Sequence, residues 1–86
     1  MPTDKAGREF AVGQLVLRGE SFGHRPELTV RQVHGFGKKG LPVLSRRGTV
    51  ARFPSRMLIL DGLLSEEGKR VFEAMLKDED RVPADA

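Results

Sequence analysis

Apolar and polar residues alternate along much of the first sixty positions, which predicts a series of short strands. The clearest alternation is LTVRQVHGF at residues 28–36, where β-branched residues recur. Gly13 interrupts the first alternating stretch and marks a turn or a bulge. Pro42 restricts its own stretch to a sheet edge or a strand start, and PSRM after Phe53 reads as a tight turn. The five predicted strands cover residues 14–18, 28–36, 41–45, 49–53 and 57–60.

The spacing of apolar residues changes after position 62, from two to three or four. This spacing predicts an amphipathic helix over residues 63–78. Ser65 is suited to cap the helix start, and two glutamates in the first turn favour the positive end of the helix dipole. The apolar stripe of the helix consists of Val71, Phe72, Met75 and Leu76.

These elements predict one small α+β domain, mainly β, because 86 residues suffice for a single domain only. Residues 1–8 are polar and expected to be flexible. Residues 9–62 are predicted to form a five-stranded antiparallel barrel. The helix at 63–78 is expected to pack on that barrel, and residues 79–86 are expected to form an acidic tail.

The segment GTVARFPSRMLIL resembles the end of a Src-homology-3-type barrel, which often shows Gly, an apolar strand, Pro-Ser-x-x and a last apolar strand. Phe53 to Met57 occupy that pattern, and VGQLVLR is similar to the first strand of many bacterial barrels of this type. The resemblance covers about residues 10–60 and implies a fold rather than a function. Eukaryotic members bind proline-rich peptides on Tyr and Trp, which this chain lacks, so that activity is not expected.

Charge is distributed unevenly along the chain. Residues 1–60 contain 11 Lys and Arg against 4 Asp and Glu, a net of +7, whereas residues 61–86 contain 4 against 8, a net of −4. One interpretation is a basic surface for a polyanion. The other is that the two parts complement each other within one fold.

The glycine-rich stretch GFGKKG predicts a hairpin turn rather than a phosphate loop. Gly35, Gly37 and Gly40 fit the dinucleotide string G-x-G-x-x-G, but Pro42 follows where a helix should begin. No P-loop is present in the sequence. GKKG also fits the G-x-x-G clamp of KH domains, but that clamp joins two helices, whereas a predicted strand precedes it here. Glycine supplies the positive φ angles of a turn, and the lysines keep its tip soluble.

The sequence offers little catalytic or metal-binding chemistry. It has no cysteine, and its two histidines, His24 and His34, lack carboxylates at ligand spacing. No serine is next to a His–Asp pattern, so nucleophilic catalysis has no support. We therefore expect neither an enzyme nor a cofactor.

The first functional hypothesis is a non-enzymatic module that binds DNA or RNA with low sequence specificity. Basic side chains on the barrel would contact phosphates in a salt-dependent way, and Phe36 would stack on a base unless it is a core or rim aromatic. The shortage of aromatic residues counts against a single-strand binder. The candidate binding residues are Arg31, Phe36, Lys38, Lys39, Arg46, Arg47, Arg52 and Arg56.

The alternative is a protein-interaction module or inhibitor that uses the helix and the acidic tail. Val71, Phe72, Met75 and Leu76 would then contact a partner or a second copy, unless this stripe only covers the barrel. A monomer and a homodimer both remain open. No stretch approaches the roughly 20 apolar residues of a membrane span, so a cytoplasmic protein without a membrane partner is expected.

Overall fold

The computed structural model describes residues 2–22 and 25–82. Within them the chain forms short antiparallel strands followed by one α-helix, with 3-10 turns at Lys38–Gly40, Pro54–Arg56 and Asp78–Asp80. The strands are β1 (Leu15–Phe22), β2 (Arg25–Gln32), β3 (Gly35–Phe36), β4 (Pro42–Val43) and β5 (Met57–Ile59), and the helix is α1 (Glu66–Ala74).

The strands form two sheets instead of one closed barrel. A three-stranded antiparallel sheet has the order β2-β1-β5, and β3 pairs with β4 in a separate hairpin. The α+β class with an antiparallel sheet and one helix is thus confirmed. The five-stranded barrel is not, because the strands of the described residues do not join into a ring. The likeness to Src-homology-3-type barrels stays a prediction.

Two predicted strands differ from the structure. The stretch at 28–36 is broken at Val33 and His34, where the chain leaves the larger sheet and enters the hairpin. The stretch at 49–53 contributes only an isolated bridge, Val50 to Val43. After that bridge the chain turns away into the 3-10 turn at Pro54–Arg56, so no further pairing forms.

Gly13 forms a β-bulge at the start of β1. Its φ angle is 92°, its N–H donates to the Val33 carbonyl at 2.8 Å, and the Val33 N–H donates to the Gln14 carbonyl at 2.9 Å. Two residues therefore face one across the ladder, with glycine in the left-handed position that such a bulge needs. The sequence signal for a turn or bulge at Gly13 is confirmed, and the bulge fixes the register of β1 and β2.

The apolar core has two parts, one on each side of the sheet. The first lies between the sheet and the β3–β4 hairpin and includes Val16, Leu44 and Met57. The second lies under the helix, where Leu76 packs against Leu15, Val30 and Leu60, with Phe72 and Leu64 at its margin. The helix begins after Ser65, whose Oγ accepts a hydrogen bond from the Gly68 N–H at 3.1 Å, as predicted.

The first residues of the chain, expected to be flexible, are instead bonded to the edge of β5. The Asp4 carboxylate accepts hydrogen bonds from the N–H groups of Ala6, Arg8 and Ile59, at 3.0, 2.8 and 2.9 Å. The Lys5 N–H donates to the Met57 carbonyl at 2.8 Å. Arg8 in turn donates to the carbonyls of Ile59 and Asp61. Polar composition suggested disorder, but these polar groups have specific partners.

Substituting Leu76, two residues after the end of α1, should show that this end of the helix is held against the sheet by buried apolar packing. Leu76→Ala removes a buried side chain and is expected to lower the free energy of unfolding by about 2–3 kcal/mol. Met75→Ala is the matched control, because Met75 is 61% exposed and its loss should change little. Urea unfolding followed by circular dichroism measures both; equal effects would contradict the observed packing.

No helix in the described residues has the length and apolar character that crossing a membrane requires.

Candidate functional site

The structure places six of the eight predicted binding residues in three separate pairs, and the other two, Arg31 and Phe36, lie apart from them. Lys38 and Lys39 lie in the turn at one end of β4, and Arg46 and Arg47 lie in the turn at its other end. The first turn is a hairpin turn, as predicted: Lys39 and Gly40 have φ angles of 64° and 73°, and the Gly37 N–H donates to the Leu41 carbonyl at 2.8 Å. Two basic turns at opposite ends of one strand do not make a single patch.

Arg31 is engaged within the fold. Its Nη1 lies 3.0 Å from Oδ2 of Asp80, a buried carboxylate in the last 3-10 turn. The same turn is held by His34, whose Nε2 lies 2.8 Å from the Asp80 carbonyl, and by Gln32, which accepts the Val82 N–H at 2.9 Å. The first part of the predicted acidic tail is therefore packed against the end of β2; residues 83–86 lie outside the described part.

Arg46 also points toward this C-terminal segment. Its Nε lies 3.4 Å from the Arg81 carbonyl, an exposed and long hydrogen bond. The fold thus uses Arg31 and, through a longer and exposed bond, Arg46 to hold the C-terminal segment. The contacts of these two residues agree with the second interpretation of the charge distribution, in which the basic body and the acidic end complement each other within the fold.

The third pair surrounds an exposed aromatic ring. Phe53 is 60% exposed, and the Arg56 guanidinium carbon lies 4.6 Å from the centre of its ring. This distance is within the range of a cation–π contact. Arg52 precedes the ring and is also exposed. We call Arg52, Phe53 and Arg56 the Phe53 cluster.

The local sequence explains why Phe53 faces solvent. Pro54 occupies the first position of the 3-10 turn, where its fixed φ angle suits the start of a helical turn. The Arg56 N–H then donates to the Phe53 carbonyl at 3.0 Å. This turn brings residue 56 back over residue 53 while Met57 enters the core.

A small cleft of about 60 Å³ lies beside the Phe53 cluster. Phe53 and Arg56 border it together with Arg18 and Gly19 of β1. At about 10–15 Å³ for each water, the cleft accommodates several water molecules and hence a small polar group such as a phosphate. The lining of the cleft thus brings two arginine side chains and an aromatic ring together.

Phe36 is the other candidate for stacking. It is 45% exposed and lies opposite Pro42 in the β3–β4 pair, so the two side chains share a face. Because Pro42 is fully buried, Phe36 extends from the core to its rim. One side of its ring is therefore covered, which suits the rim-aromatic interpretation.

The predicted helix at 63–78 is shorter in the structure, where α1 ends at Ala74, so Leu76 of the predicted apolar stripe lies beyond it. The stripe is divided between core and solvent. Phe72 and Leu76 turn inward, and Val71 and Met75 remain exposed. The inner pair covers the sheet, as the structural interpretation of this stripe predicted. The outer pair is left as a small apolar surface.

Sequence reasoning missed two members of the site. Phe53 was assigned only to a strand pattern, and Arg18 only to the first strand. The signal for Phe53 was present in R-F-P-S-R, where Pro directly after an aromatic residue favours a turn and two arginines flank the ring. No sequence signal places Arg18 beside it, because the pairing of β1 with β5, which sets Arg18 opposite Met57, joins strands that are distant in sequence.

Metal and acid–base groups do not converge in the described part of the chain. No three His, Asp or Glu residues there lie in an arrangement that holds a metal ion. His34 contacts a backbone carbonyl, and His24 lies outside the described residues.

Comparison with known proteins finds no matching family, no similar curated protein and no similar solved structure. A function for this surface has to be argued from its own chemistry, which is an exposed ring with a guanidinium stacked on it and a neighbouring arginine.

Proposed function

We propose that the protein is a non-enzymatic binding module for nucleic acid, with low sequence specificity and the Phe53 cluster as its centre. The observation that supports this proposal is the exposed ring of Phe53 with Arg56 stacked 4.6 Å from its centre. Because most of the Phe53 side chain is exposed, its ring is open to contact with a ligand. Flanking arginines give it the composition of a base-stacking and phosphate-binding surface.

Phe53 and Arg56 would both offer a flat surface to a base, and the charge of Arg56 would in addition contact a phosphate. A base stacks on the open face of the ring or on the plane of the Arg56 guanidinium, and every base offers such a flat face. Stacking therefore adds affinity with little dependence on sequence. Because Arg56 already lies over the ring, its side chain loses less conformational freedom on binding than an extended arginine would.

The backbone of the nucleic acid would be held by exposed cations. Arg52 flanks the ring, and Lys38, Lys39 and Arg47 would contact other phosphates separately, at the two turns beside β4. Each phosphate contact releases condensed counterions, so affinity falls with salt in proportion to the number of contacts. Arg31 is left out of this surface because its guanidinium pairs with Asp80.

Fluorescence anisotropy across a salt series tests the proposal. Phe53→Ala should weaken binding of single-stranded DNA or RNA about tenfold, because base–aromatic stacking contributes roughly 1–3 kcal/mol. The salt dependence should be unchanged, because no cation is removed. Duplex DNA, whose bases are already stacked, should lose less affinity.

Phe36→Ala is the matched control for this experiment. It removes the same ring from a position where one side is covered, and it should have a smaller effect on binding. Phe53→Leu keeps an apolar side chain without a π face and should behave like Phe53→Ala. Absence of binding at low salt, or equal losses for Phe36→Ala and Phe53→Ala, would reject the Phe53 cluster as the binding centre.

A second candidate function, protein binding through the helix, is supported by the exposure of Val71 and Met75. Phe72 and Leu76 are excluded from such a surface by their packing. Val71→Ser with Met75→Ser should abolish partner capture and spare nucleic-acid binding. If the double substitution leaves capture intact, helix-mediated binding is wrong.

A further inference from the structure

The two edge strands of the three-stranded sheet differ in whether another segment of the described chain bonds to them. At the β5 edge the first residues of the chain bond to the strand, with Lys5 donating to Met57 and Ile59 donating to Asp4. At the β2 edge no further strand is present in the described residues. An uncovered strand edge is a template for pairing with another chain.

The register of the sheet identifies the backbone groups on this open edge. Val33 and Gln14 share a hydrogen bond, and narrow pairs recur every second residue, so Arg31 and Thr29 bond to β1. The N–H and C=O groups of Leu28 and Val30 therefore face outward. Pro26 falls in the same outward series, where its missing N–H costs no ladder bond.

A groove of about 280 Å³ runs along this edge. The strand Glu27–Arg31 forms one wall, and Met75, Lys77 and Asp80 form the other. Leu28, at the rim, is 71% exposed, the most exposed of the large apolar residues described. The groove thus combines unpaired backbone groups, exposed apolar side chains and charges of both signs.

We propose that the occupant of this edge is a second copy of the chain, with the two β2 strands antiparallel about a two-fold axis at Thr29. The sequence E-L-T-V-R at 27–31 complements itself in that arrangement. Glu27 lies opposite Arg31 of the second copy, Leu28 lies opposite Val30, and Thr29 lies opposite Thr29. The outward N–H and C=O groups of Leu28 and Val30 then bond to each other across the axis.

Other registers lose this match. A shift by two residues in one direction places Glu27 opposite Val33 and Leu28 opposite Gln32; in the other direction it places Glu27 opposite Thr29. A shift by one residue sets outward groups against inward ones, so the ladder cannot form. Opposite charges that face each other across a ladder stabilise the pair, and the two-fold axis provides this contact twice.

The existing contacts of Arg31 are compatible with the pairing. Its Nη1 bonds to Asp80, and a guanidinium carries five N–H donors, so the Glu27 carboxylate of a second copy adds to the Asp80 contact rather than replacing it. Five paired residues bury less area than the roughly 1,200–2,000 Å² of a stable interface. The dimer is therefore weak and depends on protein concentration.

A cysteine at the symmetry axis tests the register directly, because the chain has no cysteine of its own. Opposite residues of a non-hydrogen-bonded pair have Cα atoms about 4.5 Å apart, which is within the range of a disulfide. Thr29→Cys should form a disulfide-linked dimer of twice 9.5 kDa under mild oxidation, measured by non-reducing electrophoresis.

Two further cysteine variants serve as controls. Leu28→Cys places its thiols diagonally across the axis, about 7–8 Å apart by Cα, and should cross-link more slowly. Val12→Cys, exposed outside β2, reports random collision. Cross-linking of Thr29→Cys no faster than Val12→Cys, or slower than Leu28→Cys, would overturn the proposal.

Sedimentation equilibrium gives an independent measurement on the native chain. Dimerisation should weaken about tenfold for Glu27→Arg, which sets two like-charged pairs across the axis. Glu9→Arg makes the same charge change at an exposed position outside β2 and should leave dimerisation unchanged. A native chain that stays monomeric up to millimolar concentration would overturn the proposal.

Discussion

Replacing Asp4 by Ala is expected to lower the free energy of unfolding by about 3 kcal/mol. Asp4 is 3% exposed, and its carboxylate accepts three backbone N–H groups as well as a bond from Arg8. Alanine leaves the Ile59 N–H unsatisfied at a buried position, which costs roughly 1–3 kcal/mol. The two other N–H groups lose a charged acceptor, which adds to this cost.

Urea unfolding of Asp4→Ala beside Asp78→Ala measures this effect. Asp78 is fully exposed and forms only a long ion pair with Arg81, at 3.7 Å, so its loss should leave the midpoint unchanged. Asp4→Asn should fall between native and Asp4→Ala, because the amide keeps one acceptor oxygen and loses the charge. An Asp4→Ala protein as stable as Asp78→Ala would show that the N-terminal anchor contributes nothing.

The same carboxylate should make stability depend on acid pH. Burial alone would raise the pKa of Asp4, but the N–H donors of Ile59, Arg8 and Ala6 and the Arg8 charge together lower it below its usual 3.8. Because the pKa of Asp4 is lower in the folded state, its contribution to the free energy of unfolding is complete above the unfolded-state pKa. This contribution is lost as pH falls through the folded-state pKa. The stability difference between native and Asp4→Asn should therefore be largest near neutral pH and shrink below about pH 4.

Reversing the charges of the Phe53 cluster should abolish most nucleic-acid binding. Arg52→Glu with Arg56→Glu removes two cations beside the ring and adds two anions, so affinity at low salt should fall far more than tenfold. The slope of log affinity against log salt should decrease by about two for duplex DNA, one unit for each lost phosphate contact. Anisotropy titrations at several salt concentrations measure both quantities.

Lys69→Glu with Arg70→Glu is the matched control, because it makes the same change in net charge, from +3 to −1, on the helix. This control separates a local binding site from general attraction between a basic protein and a polyanion. The helix variant should lose only a few-fold in affinity. Equal losses in the two double variants would assign binding to net charge and reject the Phe53 cluster.

Elements whose signals are local were predictable from the sequence. Ser65 followed by Glu66 and Glu67 is a helix start in any context, and the structure begins α1 there. Gly13 signalled a bulge because few other residues tolerate a positive φ angle. The turn at Lys38–Gly40 followed from glycine spacing for the same reason.

Features that depend on pairing partners were not predictable. Residues 19–27 contain glycines and a proline, which predict a loop between the first two strands, yet β1 and β2 include most of them. Pro26 is tolerated because it lies on an edge strand, and a single sequence does not reveal which strand lies at an edge. Closure of a barrel likewise depends on strand register, which short strands specify weakly.

The candidate site was partly predictable for a similar reason. Basic residues were counted correctly, but only tertiary contacts decide which of them the fold uses internally. Arg31 in β2 forms an ion pair with Asp80, which lies 49 positions later in the chain, and this pairing has no sequence signature. Phe53 is exposed because the turn at Pro54–Arg56 follows it and because Met57, not Phe53, is buried in the core.

The anchoring of Asp4 on β5 has a consequence for the order of folding during synthesis. The ribosome adds Ile59, the partner of Asp4, 55 positions after Asp4 itself. While the ribosome adds about 5–20 residues each second, the nascent N-terminal segment has to wait for seconds before β5 emerges. The β1–β2 hairpin can form earlier, because its strands are adjacent in sequence. The segment around Asp4 is therefore synthesised before the sheet but is among the last parts of the fold to reach its native contacts.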